Sequence, residues 1–330
     1  MKTIRKPIEY NDINLKSFER FFGEQNFAVW DIETTGLSPK YEKIILSGIV
    51  KVCCEEAYFI QFLAEEPEDE YQIIEETLNE FKDVDFIITF NGKQFDLPFI
   101  KKRYEKLTKT KERVTLPYNL DLYKIIKNYS GLKELLPNLK QKTIEKFMNL
   151  ASTRTDEISG AESAKMYKEY LETKDSFLEE KILLHNSDDI LQLYNLIYVI
   201  GYCDFYRAMC DLGFPVKNAG IINYIHLKKD ELIIEGTLNT PFNYEKFSSM
   251  GSLWELKCNK EYRSFYFSIT LEDIQDYKII DILSIDPNFN CNTIPGISSG
   301  YLIVSKKQNI NHLSIAAFAK EILTYIVGLI

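Results

Sequence analysis

The chain has 330 residues, 45% hydrophobic and 27% charged, so it can bury a sizeable core and is neither disordered nor fibrous in composition. Its formal net charge of −9 counts against a protein that coats nucleic acid through its overall charge. Six scattered cysteines, none in a C-x-x-C pair, and three histidines give no zinc framework and read as a reduced, cytoplasmic protein.

Met1 to Tyr10 has no apolar core of the kind a signal peptide needs. Phe27 to Glu33, an apolar run with β-branched and aromatic residues, predicts a buried strand ended by Thr34-Thr35-Gly36. Two more strands are expected at Ile44–Val52 and Tyr58–Leu63, then a helix over Asp69–Phe81 with Ile73, Ile74, Leu78 and Phe81 at helical spacing. Phe86–Phe90 predicts another buried strand, closed by the turn signal Asn91-Gly92, and Phe95–Leu107 predicts a helix. A short strand near Asn119-Leu120-Asp121 leads into another helix. Glu162–Tyr202 reads as helical. Its long piece, Ser176–Tyr202, has Leu183, Leu184, Ile190, Leu191, Leu193, Leu196 and Ile197 as its expected apolar face. This succession predicts an α/β domain with a mixed sheet.

Past Gly213 the character changes. Strands are expected at Glu231–Leu238, Ser252–Cys258, Tyr262–Thr270 and Gly300–Ser305, separated by turn-rich stretches. The apolar run Ile315–Ile330 is broken by Lys320 and Glu321 and falls short of the roughly 20 residues a bilayer span needs. It predicts a core helix, and no membrane association is expected. The expected division is therefore residues 1–213 as the chemistry-bearing domain and 214–330 as a smaller strand-rich appendage whose motifs assign no function.

Charge is unevenly spread. Lys101–Lys146 carries 13 Lys and Arg against 5 Asp and Glu, which reads as a solvated helical surface or as a local phosphate-binding surface. Its tyrosines, Tyr104, Tyr118, Tyr123 and Tyr129, read as core or as base-stacking groups.

Asp31 and Glu33 are two apart on a predicted strand, so their side chains share a face where the strand meets solvent. Burying two such carboxylates unpaired costs on the order of several kcal/mol. A hard divalent cation relieves both burial and repulsion. A cap or a Lys or Arg neighbour is the alternative. Asp96, just before Leu-Pro, opens a predicted helix and reads as its N-cap; a carboxylate has enough lone pairs to bind a metal as well. His185 and Asp189, four apart on a predicted helix, share a face and place a candidate proton acceptor one turn from a candidate ligand, unless they are a surface pair without chemistry. Asp188 competes with Asp189 on these grounds.

The order of these pieces is more specific than any of them. Asp31-Ile-Glu-Thr-Thr-Gly-Leu37, Phe90-Asn-Gly-Lys-Gln-Phe-Asp96 and His185-Asn-Ser-Asp-Asp189 together resemble the DEDD exonuclease set of the ribonuclease-H-like superfamily. Asn119-Leu-Asp-Leu-Tyr123 and Ile158-Ser-Gly-Ala-Glu162 are similar to the bacterial YprB-type ribonuclease-H-like domain. The resemblance spans about residues 25–205 and does not reach the tail.

That resemblance implies a sheet of about five strands, the second antiparallel, with helices on both faces. It implies that Asp31, Glu33, Asp96 and Asp189 bind two divalent cations, Mg2+ or Mn2+, with His185 as general base. It places the terminal nucleotide on the backbone of Thr34, Thr35, Gly36 and Leu37, with Leu37 as a wedge and Asn91 near the same site. The spacing of four before the last Asp matches the tyrosine branch of the DEDD family, with histidine in the tyrosine position as in the YprB-like group, and supports Asp189 over Asp188. Asp121 reads as a helix cap or as an accessory acid. The function implied is metal-dependent hydrolysis of DNA or RNA phosphodiesters from a single-stranded 3′ end. The rival reading is a ribonuclease-H-like module that binds nucleic acid, or serves as an interaction module, without cutting.

Overall fold

The computed structural model describes residues 1–10, 13–110, 114–150, 158–248 and 253–329. Ser252 and Ile330, at the ends of two expected elements, and Lys111 to Arg113 of the basic segment lie outside them. The chain divides into two compact units, residues 1–19 with 23–203 and residues 20–22 with 204–330.

The first unit is built on six strands: β1 (Lys2–Ile8), β2 (Phe27–Thr34), β3 (Ile44–Cys53), β4 (Glu56–Leu63), β5 (Phe86–Thr89) and β6 (Tyr118–Asp121). They lie in the order β1-β4-β3-β2-β5-β6. β1/β4, β4/β3 and β3/β2 pair antiparallel, and β2/β5 and β5/β6 pair parallel. The five strands implied by the resemblance are therefore present with the second antiparallel, and β1 is added at one edge. β1 has no sequence signature of a buried strand because it alternates half-buried with exposed charged residues; its ladder with β4, from Lys2↔Leu63 to Ile8↔Ala57, holds it in place.

The unit's helices are α1 (Lys16–Phe22, shared with the second unit), α2 (Glu70–Glu80), α3 (Asp96–Thr108), α4 (Leu122–Tyr129), α5 (Leu132–Leu135), α6 (Gln141–Phe147), α7 (Gly160–Thr173) and α8 (Ser176–Leu196). The period-2 alternation of β2 sends Trp30 and Ile32 to one face and Asp31 and Glu33 to the other. On the first face Trp30 Nε1 donates to Ser47 Oγ at 3.1 Å, Thr77 of α2 reaches the same oxygen at 2.8 Å, and the Trp30 ring meets Phe81 at 5.3 Å. Ile49, Ile60, Ile73, Ile74, Ile87 and Phe99 complete this core, each burial contributing about 1.5–3 kcal/mol.

The second face takes α8, and here the expected apolar stripe is corrected. Leu184 is exposed, whereas His185, Asn186, Asp188 and Gln192 are buried with Ile182, Ile190, Leu193 and Leu196. The helix lies on the sheet face that carries the acids, so polar residues are drawn inward.

The second unit holds α9 (Phe205–Leu212), then a six-stranded antiparallel sheet of β7 (Phe214–Val216), β8 (Gly220–Leu227), β9 (Glu231–Leu238), β10 (Tyr244–Phe247), β11 (Trp254–Asn259) and β12 (Ser264–Thr270) in the order β10-β11-β12-β9-β8-β7. A second sheet contains β13 (Glu272–Ile274), β14 (Tyr277–Asp281), β15 (Ile297–Ser298), β16 (Tyr301–Lys306) and β17 (Asn309–Ile310). The closing helix α10 (His312–Val327) buries Ile315, Phe318, Ile322 and Ile326, with Phe318 edge-on to Phe267. It is a core helix, and among the described residues no helix is long and apolar enough to cross a membrane.

Candidate active site

β5 is short, and its parallel ladder with β2 ends at Val29↔Ile88. Beyond that point the edge of β2 has lost its neighbour strand. The first turn of α3 fills the gap: Asp96 Oδ1 accepts the Ile32 N–H at 3.3 Å. The expected helix N-cap is thus displaced by one position. Asp96 is the first helical residue, Phe95 occupies the cap, and the Asp96 carboxylate serves the backbone of β2.

Asp31 and Glu33 lie across β3 from Gly48 and Leu46, and a register shift follows Glu33. Asp31, Gly48 and Gln61 form one rung across β2, β3 and β4. The glycine leaves a notch on the acid-bearing face. Asn186 of α8 sits in it, accepting from Gln61 Nε2 at 3.0 Å and donating to Asp31 Oδ2 at 3.5 Å. Gln61 Nε2 also reaches the Leu183 carbonyl at 2.9 Å. Sequence reasoning missed this trio. The signal available was Gly48 itself, since glycine inside a buried strand marks close approach.

Next to Asn186 on α8, the buried His185 places Nε2 3.4 Å from Glu33 Oε1 and 3.6 Å from Asp189 Oδ2. Ligand-type atoms of Glu33, His185 and Asp189 lie within 4.8 Å of one another. Burial, followed by the charges of Asp96, Glu33 and Asp189, holds the Asp31 carboxyl well above the ordinary carboxylate range. Burial is also the main cause that pushes Asp96 up to about 7, opposed by hydrogen bonds from its own N–H and that of Ile32 and reinforced by Asp121. Asp31 and Asp96 have no Lys or Arg partner among the described residues. The carboxylate oxygens here are donors for a hard divalent cation, the imidazole beside them is not a typical one, and the crowding of charge around Asp31 is what such an ion would neutralise.

These groups open on a cleft of about 770 Å3 lined by Asp31, Glu33, Thr34, Thr35, Gly36, Leu37, His185 and Asp189, among others. Leu37 is 85% exposed. The loop that carries it is closed by Thr35 N–H to the Lys43 carbonyl at 3.0 Å and Lys43 N–H to Thr35 Oγ1 at 3.0 Å. A buried ion pair supports it from beneath: Arg103 Nε donates to Glu70 at 2.7 Å, Glu70 accepts the Ile44 N–H at 2.9 Å, and Arg103 also reaches the Pro39 carbonyl at 3.2 Å.

Four residues of the acid and turn motifs, Asp96, Asn91, Asp121 and Asp188, stand apart from the cleft lining. Asn91 adopts φ 65° in the turn after β5 and donates its N–H to Asp121 at 2.9 Å. Asp121 accepts further N–H groups from Lys93 at 3.1 Å and Lys124 at 3.3 Å, so it caps α4 and ties down that turn. Asp188 is buried. Asp121→Ala is expected to cost about 1–2 kcal/mol, the size of a lost cap. Thermal melts of the variant and its parent check this; a loss well under about 1 kcal/mol would mean that Asp121 does not cap α4.

The basic segment is not one surface. Arg103 is buried against Glu70, and among the described residues of this run only Lys140, Gln141 and Lys142 line the cleft. Tyr104 packs against the core, Tyr123 meets Phe90 at 5.7 Å, and none of the four tyrosines lines the cleft.

A family model described as the RNase_H superfamily matches residues 28–201. The uncharacterized protein YprB of Bacillus subtilis (strain 168) is 26% identical over 177 residues, which are 53% of this chain and 42% of that relative's own length. A family B DNA polymerase from the hyperthermophilic archaeon Pyrobaculum calidifontis aligns over 53% of this chain and 24% of its own, with 16% identity and a TM-score of 0.43. The family match takes in more than half of the chain, including Asp31, Glu33, Asp96, His185 and Asp189, and the chain is therefore a member of the RNase H superfamily.

Proposed function

We propose that the chain is a metal-dependent nuclease that hydrolyses nucleic-acid phosphodiesters, with Asp31, Glu33, Asp96 and Asp189 holding two divalent cations, Mg2+ or Mn2+, and acting from a single-stranded 3′ end. The observation that carries this reading is the convergence of four carboxylates: Asp96 from α3, Glu33 from β2 and Asp189 from α8 gather around Asp31 at an open cleft. A protein that only binds nucleic acid gains nothing from that repulsion.

When bound, the cations would supply an activated water and stabilise the leaving oxygen, the two roles of such a pair. His185 is the group placed to take a proton, since its Nε2 lies between Glu33 and Asp189. Thr34 to Leu37 present backbone and the exposed Leu37 side chain along the cleft, where a terminal nucleotide would rest. Asn91 would act on this site indirectly, through the turn that precedes Asp96. The carboxylates explain how an acidic chain accepts a polyanion, because bound cations invert the local field.

The test is incubation of the full chain with end-labelled single- and double-stranded DNA and RNA in Mg2+, Mn2+ or chelator. Shortening from the 3′ end of single strands, abolished by chelator, is expected. Binding without metal-dependent cleavage would establish the non-cutting module instead. His185→Gln should slow cleavage by about 10²-fold, the lower range for a general base, and flatten the acidic limb of the pH–rate profile. An unchanged profile removes His185 from that role.

A further inference from the structure

The lining of the cleft also carries four lysines, two of them outside the basic segment that the sequence singles out. Lys140 and Lys142 flank Gln141 at the start of α6. Lys165 and Lys168 lie on α7, on the same face as Ala161 and Ala164, and all six residues line the cleft. Lys140, Lys165 and Lys168 are exposed and have no carboxylate partner among the described residues.

Both pairs are fixed to the acid cluster. Gln141 Nε2 donates to the Asp189 carbonyl at 3.0 Å, which sets Lys140 and Lys142 one residue from a contact with the helix turn that bears the last acid. Lys142 Nζ reaches the Ile158 carbonyl at 3.0 Å, just before α7 begins. At the start of α7 a Cβ on Gly160 would lie 3.7 Å from Glu33 Oε2, so the first turn of that helix rests on the acids. From Gly160, Lys165 and Lys168 then stand about 8 and 12 Å up the helix axis at 1.5 Å per residue. Lys165 and Lys168 thus lead away from the acids in two steps, while Ile32, Leu37, Phe95, Ala161 and Ala164 supply the apolar part of the lining.

We propose that Lys140, Lys142, Lys165 and Lys168 form a phosphate track that holds an unpaired nucleic-acid strand by its backbone, upstream of the bond at the acid cluster. This rests on the nuclease reading for the position of that bond, but the track is a binding device with its own signature. Thr34, Thr35, Gln141 and Ser159 also line the cleft, but the four ammonium groups are suited to phosphate oxygens, and contacts of that kind carry no base sequence. The cleft, about 770 Å3, is the size of a ligand pocket, about 300–1,000 Å3, and is large enough for a strand end.

The experiment measures binding of a fluorescein-labelled, phosphorothioate-linked oligothymidylate to the full chain in Mg2+ across a salt series. Each phosphate neutralised on a single strand contributes about 0.7 to the slope of log affinity against log salt. The variant with all four lysines changed to glutamine should therefore lose about 3 from that slope, and its Kd at 0.1 M salt should rise by about two to three orders of magnitude. Lys140→Gln/Lys165→Gln should lose about half as much slope. A charge-matched control on α3, Lys101→Gln/Lys102→Gln, should keep the parent slope. All variants change exposed or half-buried side chains, and circular dichroism checks that they fold. A parent slope retained by the fourfold variant, or a control that loses as much slope as the track variants, overturns the track. A slope that falls as expected in a protein that cleaves nothing in Mg2+ or Mn2+ supports the track and removes the nuclease reading.

Discussion

Asp31→Asn is expected to lower Mg2+-dependent cleavage on the order of 10⁴-fold, the several kcal/mol that a bound metal gives to a transition state, while making the metal-free protein more stable. The second effect follows from the electrostatics. Burial and three neighbouring carboxylates raise the Asp31 carboxyl, and Asp96 is pushed up to about 7. A carboxyl raised in the folded state favours folding while it is protonated. That contribution is complete below the ordinary carboxylate range and is lost as pH rises through the folded value. Without metal, the first unit should therefore melt lower at pH 8 than at pH 5, and Mg2+ should restore it at pH 8. Asn at 31 removes one charge from the cluster. At pH 8 in chelator its melting temperature should exceed the parent's by several degrees, at about 2–4 °C per kcal/mol for a unit of this size. The Mg2+ increment should shrink at the same time. Thermal melts at both pH values, with chelator and with Mg2+, read all of this. An Asp31→Asn protein that is less stable than its parent at pH 8 without metal would show that the acids are not in mutual repulsion, and full cleavage by it would end the metal reading.

Gly48→Ala should be the most damaging single methyl group in the first unit. A Cβ at 48 would lie 2.1 Å from Asn186 Oδ1 and 2.8 Å from its Cγ. Asn186 is fully buried, so it cannot swing into solvent, and moving it breaks its bonds to Gln61 and Asp31. Overpacking costs about 1–3 kcal/mol, and a buried amide left unsatisfied about as much again. We expect a loss of about 3 kcal/mol, or roughly 6–12 °C in melting temperature. Cleavage should fall by at least about tenfold, since Asp31 loses the donor that orients it. The cause is separable from mere crowding by a second variant. Gly48→Ala combined with Asn186→Ala removes the clash, and should cost less than the two single changes added, by about 0.5–3 kcal/mol. Strict additivity, or a Gly48→Ala protein that melts with its parent, would mean that the notch does no positioning.

What could be read from the sequence was what is local. Phe27–Glu33, Ile44–Val52 and Phe86–Phe90 declared strands by composition, and Asp31, Glu33, Asp96, His185 and Asp189 emerged from their order along the chain. Contacts between distant segments could not be read that way. Gln61 and Gly48 carry no motif, Asn186 fills an unassigned place inside His185-Asn-Ser-Asp-Asp189, and their meeting depends on a rung of the sheet and its contact with α8. α8 misled for the same reason: its leucines suggested an apolar face, but the partner surface is the acid-bearing side of β2. Arg103 sat inside a basic run and is buried against Glu70, while Lys165 and Lys168 lay outside that run and line the cleft. β8, with Asn223 and His226 interrupting its apolar residues, and β1, an edge strand rich in charge, had no clean alternation to detect.

The hydrogen bond from Ile32 to Asp96 has a bearing on how this chain could change over generations. Most acids in such a cluster are free to be lost once cleavage is no longer needed, because the repulsion they impose goes with them. Asp96 is not, since it completes the backbone of β2 where β5 stops short. If the chain cuts as proposed, lineages that abandon cutting are expected to shed Asp31 first and to keep an oxygen acceptor, Asp, Asn or Ser, at 96. A survivor of that kind would preserve one piece of the old chemistry as carpentry.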